Sequence, residues 1–502
     1  MVTGALPALA AAAPAHCDVT LIDENVEAID FAALDDFDVI GVTGMVVQAN
    51  RMREILLELR GKTATIVVGG PYVSVAPELF EKLCDIRFLG EADETRPAFL
   101  NTLGEGGEPL KIYRQDEKTD MATVPCPRYD LIKSDRYMMA SLQFSRGCPF
   151  TCEFCDIITI FGRRPRMKTA AQMIAEFEEI HAAGFRLCFL VDDNLIGNKR
   201  EAKKLLRALA DWQAAHGYPI KLYVEASINL ADEPELLDLM LAANVRQVFI
   251  GIESPRMAAL EEMKKVQNIR GDSLLAKIGR IRDAGLVIKA GFIVGFDSDD
   301  HLIFDDQYEF IQQAGIAQAI VAILAPIPST PLYDRLSREG RIDHRHPDVG
   351  FRPKLMSADQ LKDGYDELML RLFEADAFFD RVFQGYAQSS EFRRRRKDFD
   401  ALAPKRRGLR ATVSNWTGTM LQAAALWRTA RRTERGRDLL RAYIHAWRKQ
   451  NLPLGAERIP LASFVGLCVE HWHFFNIAQN RHKGRFAHLS EFAGPEPVDL
   501  AA

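Results

Sequence analysis

Between Ser141 and about Leu336 the sequence repeats one pattern six times, a short apolar run followed by a longer amphipathic stretch, and this repetition constrains the fold more than any other feature. The runs are Leu142-Gln143-Phe144, Leu187-Cys188-Phe189-Leu190-Val191, Lys221-Leu222-Tyr223-Val224, Gln247-Val248-Phe249-Ile250, Lys289 to Val294 and Ala319 to Ala325. Between them, 170–183, 199–216, 235–243 and 273–284 space their apolar residues for one helix face. Strands alternating with helices form parallel βα units. The six repeats predict a barrel, complete or partial, with its chemistry at the carboxyl ends of the strands.

A shorter series of the same kind precedes it. Val19-Thr20-Leu21-Ile22-Asp23, Asp38 to Gly44, Thr65 to Pro71 and Ile86 to Glu91 read as strands, and Met52 to Leu59 as a helix, so residues 1–105 form a Rossmann-like layer domain. This sheet begins so close to Met1 that an opening strand is expected to be missing, or the start codon to have been placed late. Residues 106–135 carry the Gly and Pro of a linker, with Gly106, Gly107, Pro109, Pro125 and Pro127 among polar residues. The barrel then occupies 136–341. From 342 to 502 the pattern is helical, with basic residues at Arg393-Arg394-Arg395-Arg396-Lys397, Lys405-Arg406-Arg407, Arg428, Arg431, Arg432, Arg435 and Arg437, near Trp416, Trp427 and Trp447.

A chain of 502 residues with 48% hydrophobic and 26% charged residues is of ordinary globular composition. Its net charge of -5 argues against a nucleic-acid coat protein, so no nucleic-acid partner is expected. No apolar run approaches the roughly 18–20 residues of a membrane span. The Ala-rich start, Ala5 to Pro14, lacks the basic residue that would make it a signal peptide, so a cytoplasmic protein is expected. Eight cysteines are too few for a disulfide framework at this length, and three of them fall in one octapeptide.

That octapeptide, Cys148-Pro149-Phe150-Thr151-Cys152-Glu153-Phe154-Cys155, directly follows the first barrel strand. Its spacing lets one ion or cluster take all three sulfurs. A closed zinc site would need a fourth ligand nearby, and no Cys or His follows until His181. A [4Fe-4S] cluster on three cysteines keeps one iron open for catalysis. Cys188, inside a strand, reads as a buried small hydrophobe. His471 and His473, two apart on a helix, point to different faces and so do not pair on one metal.

The C-x3-C-x2-C motif, with an aromatic (Phe154) before its last cysteine, resembles the signature of the radical S-adenosylmethionine (SAM) enzymes. The resemblance implies a [4Fe-4S] cluster on Cys148, Cys152 and Cys155. SAM would chelate the open iron and be cleaved to a 5′-deoxyadenosyl radical that abstracts hydrogen. It also implies SAM-binding positions at other strand ends. Asp192 and Asp193 follow the second strand and suit an ammonium. Glu225 and Ser227 close the 221–224 strand and suit a ribose. Gly251 could let an adenine lie against the backbone, with Glu253 just beyond. For each acidic residue a helix cap or rim salt bridge is the plainer alternative.

Asp23-Glu24-Asn25-Val26, Thr43-Gly44-Met45, Gly69-Gly70-Pro71, Gly90-Glu91 and Gly295-Phe296-Asp297, together with the cysteine motif, resemble the cobalamin-binding-domain radical SAM enzymes. The helical tail and Lys265-Val266-Gln267-Asn268 resemble the branch with the hopanoid methylases. The implied fold class is α/β: a Rossmann-like cobalamin-binding domain, a (βα)6 partial TIM-barrel radical SAM core and a C-terminal α-helical domain. The implied reaction is methylation of an unactivated carbon of a small or lipid-like substrate of hopanoid or isoprenoid type. One SAM would methylate Co(I) and a second supply the radical. A cobalamin would rest on Thr43, Gly44, Met45, Gly69, Gly70, Pro71, Gly90 and Glu91, and an electron donor such as flavodoxin or ferredoxin would be a partner. The first domain has no D-x-H-x-x-G segment and only His16, so a histidine beneath cobalt is not supported; a Rossmann layer without cofactor is the alternative. The basic helices, mostly a solvated face, could also touch a membrane surface. Rival readings are a cobalamin-associated rearrangement, cyclisation or oxidation, an RNA-modifying methylthiotransferase, and a non-catalytic zinc module.

Overall fold

The computed structural model describes residues 1–387, 389–402, 409–450 and 458–482. Its first sheet has four parallel strands in sequence order, β1 (Val39–Thr43), β2 (Thr65–Gly69), β3 (Ile86–Leu89) and β4 (Ile112–Arg114). Alternation in β2 buries Ile66 and Val68 beneath the helices Ala49–Glu58 and Pro71–Val75. Two expectations are corrected here. Residues 19–23 are extended but join no strand ladder, because the buried Asp23 pins them instead. Its carboxylate accepts from Thr3 Oγ1 and Tyr137 Oη, both at 2.9 Å, and from the Asn25 amide at 3.0 Å. Conversely, the linker supplies β4, whose Tyr113 ring stacks 5.1 Å from Phe88.

The second sheet begins with β5 (Ala140–Leu142). A short antiparallel hairpin follows, β6 (Ser145–Arg146) with β7 (Arg166–Met167), and the cysteine octapeptide lies inside it. Then come β8 (Leu187–Leu190), β9 (Lys221–Glu225), β10 (Val245–Glu253), β11 (Val287–Val294) and β12 (Gln318–Ile323). These six strands, β5 with β8 to β12, run parallel in chain order, and β12 does not pair with β5, so the barrel is partial. One face of each strand is buried under the flanking helices, as with Leu190, Val224, Ile250, Phe292 and the fully buried Cys188. The other face is concave and half-buried.

After the barrel, apart from one isolated bridge between Ile342 and Phe351, the described elements are helices, among them Ala358–Leu372, Ala375–Ala387, Ser390–Leu402, Leu409–Ala430, Glu434–Lys449 and Leu461–His482. They share one continuous apolar core with the barrel, whereas the first domain keeps cores of its own. His471 is sealed in an aromatic cluster, its Nε2 donating to the Phe373 carbonyl (3.0 Å) and its Nδ1 accepting from Tyr443 Oη (2.7 Å). His473 is exposed, so the two histidines do part.

The basic run is not a free face. Arg395 pairs with Asp238 (2.5 Å) beneath the barrel and with Glu391 (3.0 Å), Arg394 pairs with Glu391 and Asp398, and Arg396 reaches the Gly285 carbonyl. Arg246 stacks on Phe399 at 4.2 Å. These contacts dock Ser390–Leu402 under the strands' amino ends. Lys405, Arg406 and Arg407 lie outside the described residues, as does the Trp416 side chain. No described helix is long and apolar enough to cross a membrane.

Candidate active site

The hairpin shapes the cysteine loop. Gly147 has φ +95°, and a Cβ there would stand 3.0 Å from the Gly162 and Arg164 carbonyls, so the loop closes back-to-back only with glycine. Cys148 N donates to Gly162 O (3.3 Å) and Cys155 N to Cys152 O (3.2 Å). Glu153 anchors the middle of the loop: its amide reaches Met263 O, its carbonyl accepts from Leu332 N, and its carboxylate holds Arg335 at 3.2 Å. Burial raises the Cys148 thiol and pushes Cys155 up to about 12, and charge on Cys152 raises both further. Among the described residues no three His, Cys, Asp or Glu converge tightly enough to hold an ion. The donor set nevertheless fits an iron–sulfur cluster. Buried thiols that oppose one another's ionisation become thiolates around a cation, and three of them leave one iron free.

Lys265, quoted from the sequence only as part of a family segment, proves to adjoin this loop. Its ammonium pairs with Glu253 and lies 5.8 Å from the Phe154 ring. Burial opposes its charge, but Glu253 and the neighbouring Cys152 and Cys155 hold its pKa above the usual value. Gln267 Nε2 points at Cys152 Sγ (3.8 Å), and Asn268 Nδ2 donates to the Ile252 carbonyl (2.9 Å). The space over Gly251 is filled by this pair: a Cβ there would meet Glu253 Oε1 and come within 2.7 Å of Lys265 Nζ. The glycine that the sequence reading left open for an adenine makes room for an ion pair.

Three carboxyls gather at the neighbouring strand ends. Asp192 accepts from the Ser145 amide and from Ser145 Oγ (2.7 Å), while its Oδ2 is buried without a partner. Asp193 Oδ2 accepts from Gly147 N at 2.7 Å. Burial pushes Asp192 up to about 7, Asp193 to about 6 and Glu225 to about 7, with the Asp charges adding to the effect on Glu225. Ser227 is latched to Asn194, which donates Nδ2 to its Oγ (3.1 Å).

At the carboxyl edge of the first sheet, Gly70 has φ +105° and a Cβ there would be 2.6 Å from Thr43 Oγ1, so the ends of β1 and β2 approach closely. Gly44 abuts Met52, and Gly69 lies against Phe88. Met45 is exposed at this edge, and Pro71 opens the helix Pro71–Val75. Gly90, at φ +82°, lines a cavity of about 700 Å³ between the first domain and the barrel, with Ser74, Arg114, Lys118, Tyr333 and His344. Of the edge residues expected to hold a cobalamin, Gly90 lines this cavity, while Thr43, Gly44, Met45, Gly69, Gly70 and Pro71 lie outside its lining. His16 does not serve the edge, since its ring packs against Gly104. Glu91 is differently engaged from the sequence reading. Its buried carboxylate takes Arg146 (3.2 Å), Arg166 (2.9 Å) and Thr119 N (2.8 Å), so it ties the first domain to the cysteine hairpin and its side chain is not free for a corrin. Asp93 adds a second bond to Arg146, at 2.6 Å.

Comparison with known proteins agrees with this layout. A B12 binding domain model matches residues 3–100, the radical SAM superfamily model residues 142–305, and a domain of unknown function (DUF4070) residues 330–485. The uncharacterized methyltransferase sll1242 of Synechocystis is 39% identical over 74% of this chain and 70% of its own length. The hopanoid C-2 methylase of Rhodopseudomonas palustris is 34% identical over 74% and 71%. The chain belongs to the B12-binding radical SAM methyltransferase family. Solved structures share the family fold: TsrM from Kitasatospora setae has a TM-score of 0.56 at 15% identity, over 73% of this chain and 88% of that one. OxsB, a cobalamin-dependent SAM radical enzyme, has 0.54 at 14%, over 92% and 76%.

Proposed function

We propose that this family member methylates an unactivated carbon of a lipid-like, hopanoid- or isoprenoid-type molecule. The observation that carries the reading is that a loop with three cysteines, on a hairpin tied by Glu91 to the B12-binding domain, stands beside three carboxyls at the ends of β8 and β9 whose pKa values burial raises. The 34% identity to a hopanoid C-2 methylase supports the substrate class. Cys148, Cys152 and Cys155 would hold a [4Fe-4S] cluster, and Thr43, Gly44, Met45, Gly69, Gly70, Pro71 and Gly90 would face a cobalamin. When bound, the cluster with SAM supplies hydrogen abstraction and the cobalamin supplies the methyl group.

The chain's own residues prepare that chemistry. Asp192, Asp193 and Glu225 offer anionic acceptors for the SAM ammonium, and Ser227 stands beside them. Phe154 and the Glu253–Lys265 pair wall the cluster loop off from water. The electron enters from a small donor such as flavodoxin or ferredoxin. A membrane-surface role for this cytoplasmic enzyme rests on Leu409–Ala430, whose Leu421 (71%), Trp427 (53%) and Met420 (41%) are exposed beside Arg428 and Arg431, rather than on the docked Arg393–Arg396 run. The test is anaerobic reconstitution with iron, sulfide and hydroxocobalamin, followed by SAM, reductant and a hopanoid. Methylated hopanoid should accompany both deoxyadenosine and S-adenosylhomocysteine; deoxyadenosine alone would replace methylation with rearrangement, cyclisation or oxidation.

A further inference from the structure

Along β9 to β12 every second residue faces the concavity: Tyr223 and Glu225, then Gln247, Phe249 and Gly251, then Lys289 and Gly291, then Gln318 and Ile320. Gln247 Nε2 donates to Gln318 Oε1 at 3.1 Å, spanning the intervening β11, a reach that the inward curvature of the sheet permits. This surface is apolar at Phe249, Gly291 and Ile320, with Phe249 standing level in the register with Glu225, Lys289 and Gln318 and the other two one step above. The Phe249 ring lies against Gly291, where a Cβ would stand 3.0 Å from Cζ, and Ile320 is 45% exposed although it sits in a strand.

The rest of it is polar, and one of its groups comes from the third domain. Lys289 Nζ donates to Glu470 Oε1 at 3.4 Å, Glu470 standing on Leu461–His482, 181 residues away in sequence. Both side chains stay open, at 31% and 27% exposure. Burial nonetheless raises the Glu470 carboxyl, with Lys289 and His473 opposing.

We infer that this concavity seats the substrate, with Phe249, Gly291 and Ile320 against its hydrocarbon body and Lys289, Glu470, Gln247 and Gln318 hydrogen-bonding a neutral hydroxyl-bearing end. The paired charges of this floor cancel, the Lys289 ammonium against the Glu470 carboxylate, with two amides and the Tyr223 hydroxyl beside them, while burial raises the neighbouring Glu225 carboxyl to about 7. An ionised head group of either sign would meet a like charge, whereas a hydroxyl both donates and accepts and so suits every member. A plain hydrocarbon would desolvate the floor and offer its groups no partner beyond the two bonds they make with one another. Lys289 lies two residues below Gly291, the register partner of Gly251, over which the Glu253–Lys265 pair sits. At a strand rise of ~3.3 Å per residue the anchor is therefore about 7 Å below the level of the proposed chemistry. The inference rests on the lipid-like substrate reading and specifies which end of such a molecule is held.

The experiment gives the reconstituted full-length enzyme a hopanoid alcohol or the parent hopane hydrocarbon and measures methylated product and deoxyadenosine against ligand concentration. Wild type should favour the alcohol in kcat/KM by at least about tenfold, about 1.4 kcal/mol. The Lys289→Met/Glu470→Leu double variant should erase that preference through the KM for the alcohol. Gln318→Leu, which leaves the interdomain pair intact, should reduce it, and Glu470→Gln should retain most of it. An unaltered preference in the leucine variants, or equal weakening of both ligands, overturns the polar floor and leaves the lipid reading standing. A wild type that turns over neither ligand while still forming deoxyadenosine overturns the lipid reading, and the floor loses its occupant with it.

Discussion

The tie between the first domain and the cysteine hairpin can be measured through Glu91. Glu91→Gln keeps the shape and the acceptor for Thr119 N, but removes a buried charge that serves Arg146 once and Arg166 twice. With its oxygen in the place of Oε2, the amide still accepts from Thr119 N and once from Arg166, but its nitrogen faces Arg146 and the second Arg166 donor, so those two bonds, each of about 1.5–3 kcal/mol to a charged acceptor, are lost. Arg146 keeps Asp93 and Arg166 keeps the Thr119 and Phe161 carbonyls, which holds the loss to about 2–3 kcal/mol. Glu91→Ala, which strands both guanidiniums, should cost about 3–5 kcal/mol. Native-state hydrogen exchange reads this locally. Amides of β6 and β7 and the cysteine loop should lose roughly 30- to 100-fold protection in Glu91→Gln, at about 1.4 kcal/mol per decade, while β10 and β11 stay unchanged. Unaltered hairpin exchange, or the same loss throughout the barrel, would refute the coupling.

Other consequences follow from the same geometry. Cys148→Ala, Cys152→Ala or Cys155→Ala should each lower iron after reconstitution from about four per chain and abolish deoxyadenosine formation; SAM cleavage retained in any of them would remove the cluster assignment. Burial holds the His471 imidazole down to about 4, against about 6.5 when unfolded. Neutral in both states above about pH 7, it then has no effect; between about pH 6.5 and 4 only the unfolded chain takes the proton, so stability falls with falling pH by up to about 3 kcal/mol. His471→Gln should flatten that slope in urea titrations followed by tryptophan fluorescence. Gly70→Ala places a Cβ at φ +105° against Thr43 and should cost about 1–3 kcal/mol, seen as weaker hydroxocobalamin retention with iron content unchanged. Neutralising Arg394 and Arg395 should loosen the barrel's underside without altering binding to anionic vesicles, whereas Leu421→Asp with Trp427→Asp should reduce that binding; co-sedimentation distinguishes the two.

Six barrel strands were legible because each is a compact apolar run bounded by helical periodicity, and the cysteine motif because spacing alone defines it. β4 was not, since Ile112-Tyr113-Arg114 is three residues among glycines and prolines, and it is a strand through its backbone pairing with β3, with Tyr113 stacked on Phe88. Val19–Asp23 has strand composition but is held by side-chain bonds to Asp23 from Thr3 and Tyr137, the latter 114 residues away. The basic run reads as a solvated face until Asp238 is seen beneath it. Glu91, Lys265 and Glu470 share one reason for having been misplaced or missed: each acts on a partner from another domain or another strand end, and no local spacing encodes that.

Charge pairing at the barrel mouth favours the proposal that these carboxyls serve a cationic ligand over structural salt bridges. The cations nearby are already committed: Arg146 to Asp93 and Glu91, Arg166 to Glu91, Lys168 to Glu176, and Lys265 to Glu253. Asp192, Asp193 and Glu225 are thus left with backbone and hydroxyl donors or with one another, and burial drives their pKa values toward neutrality. A structural ion pair would have lowered them, as Arg335, Arg341 and Lys354 lower Asp297. We propose that SAM would supply the missing positive charge through its sulfonium at the strand ends beside the cysteine loop, and its binding should draw protons off these carboxyls. Calorimetric titration with SAM in two buffers of different ionisation enthalpy would count them: proton release near pH 7 is expected, and none would mean that the three groups are structural.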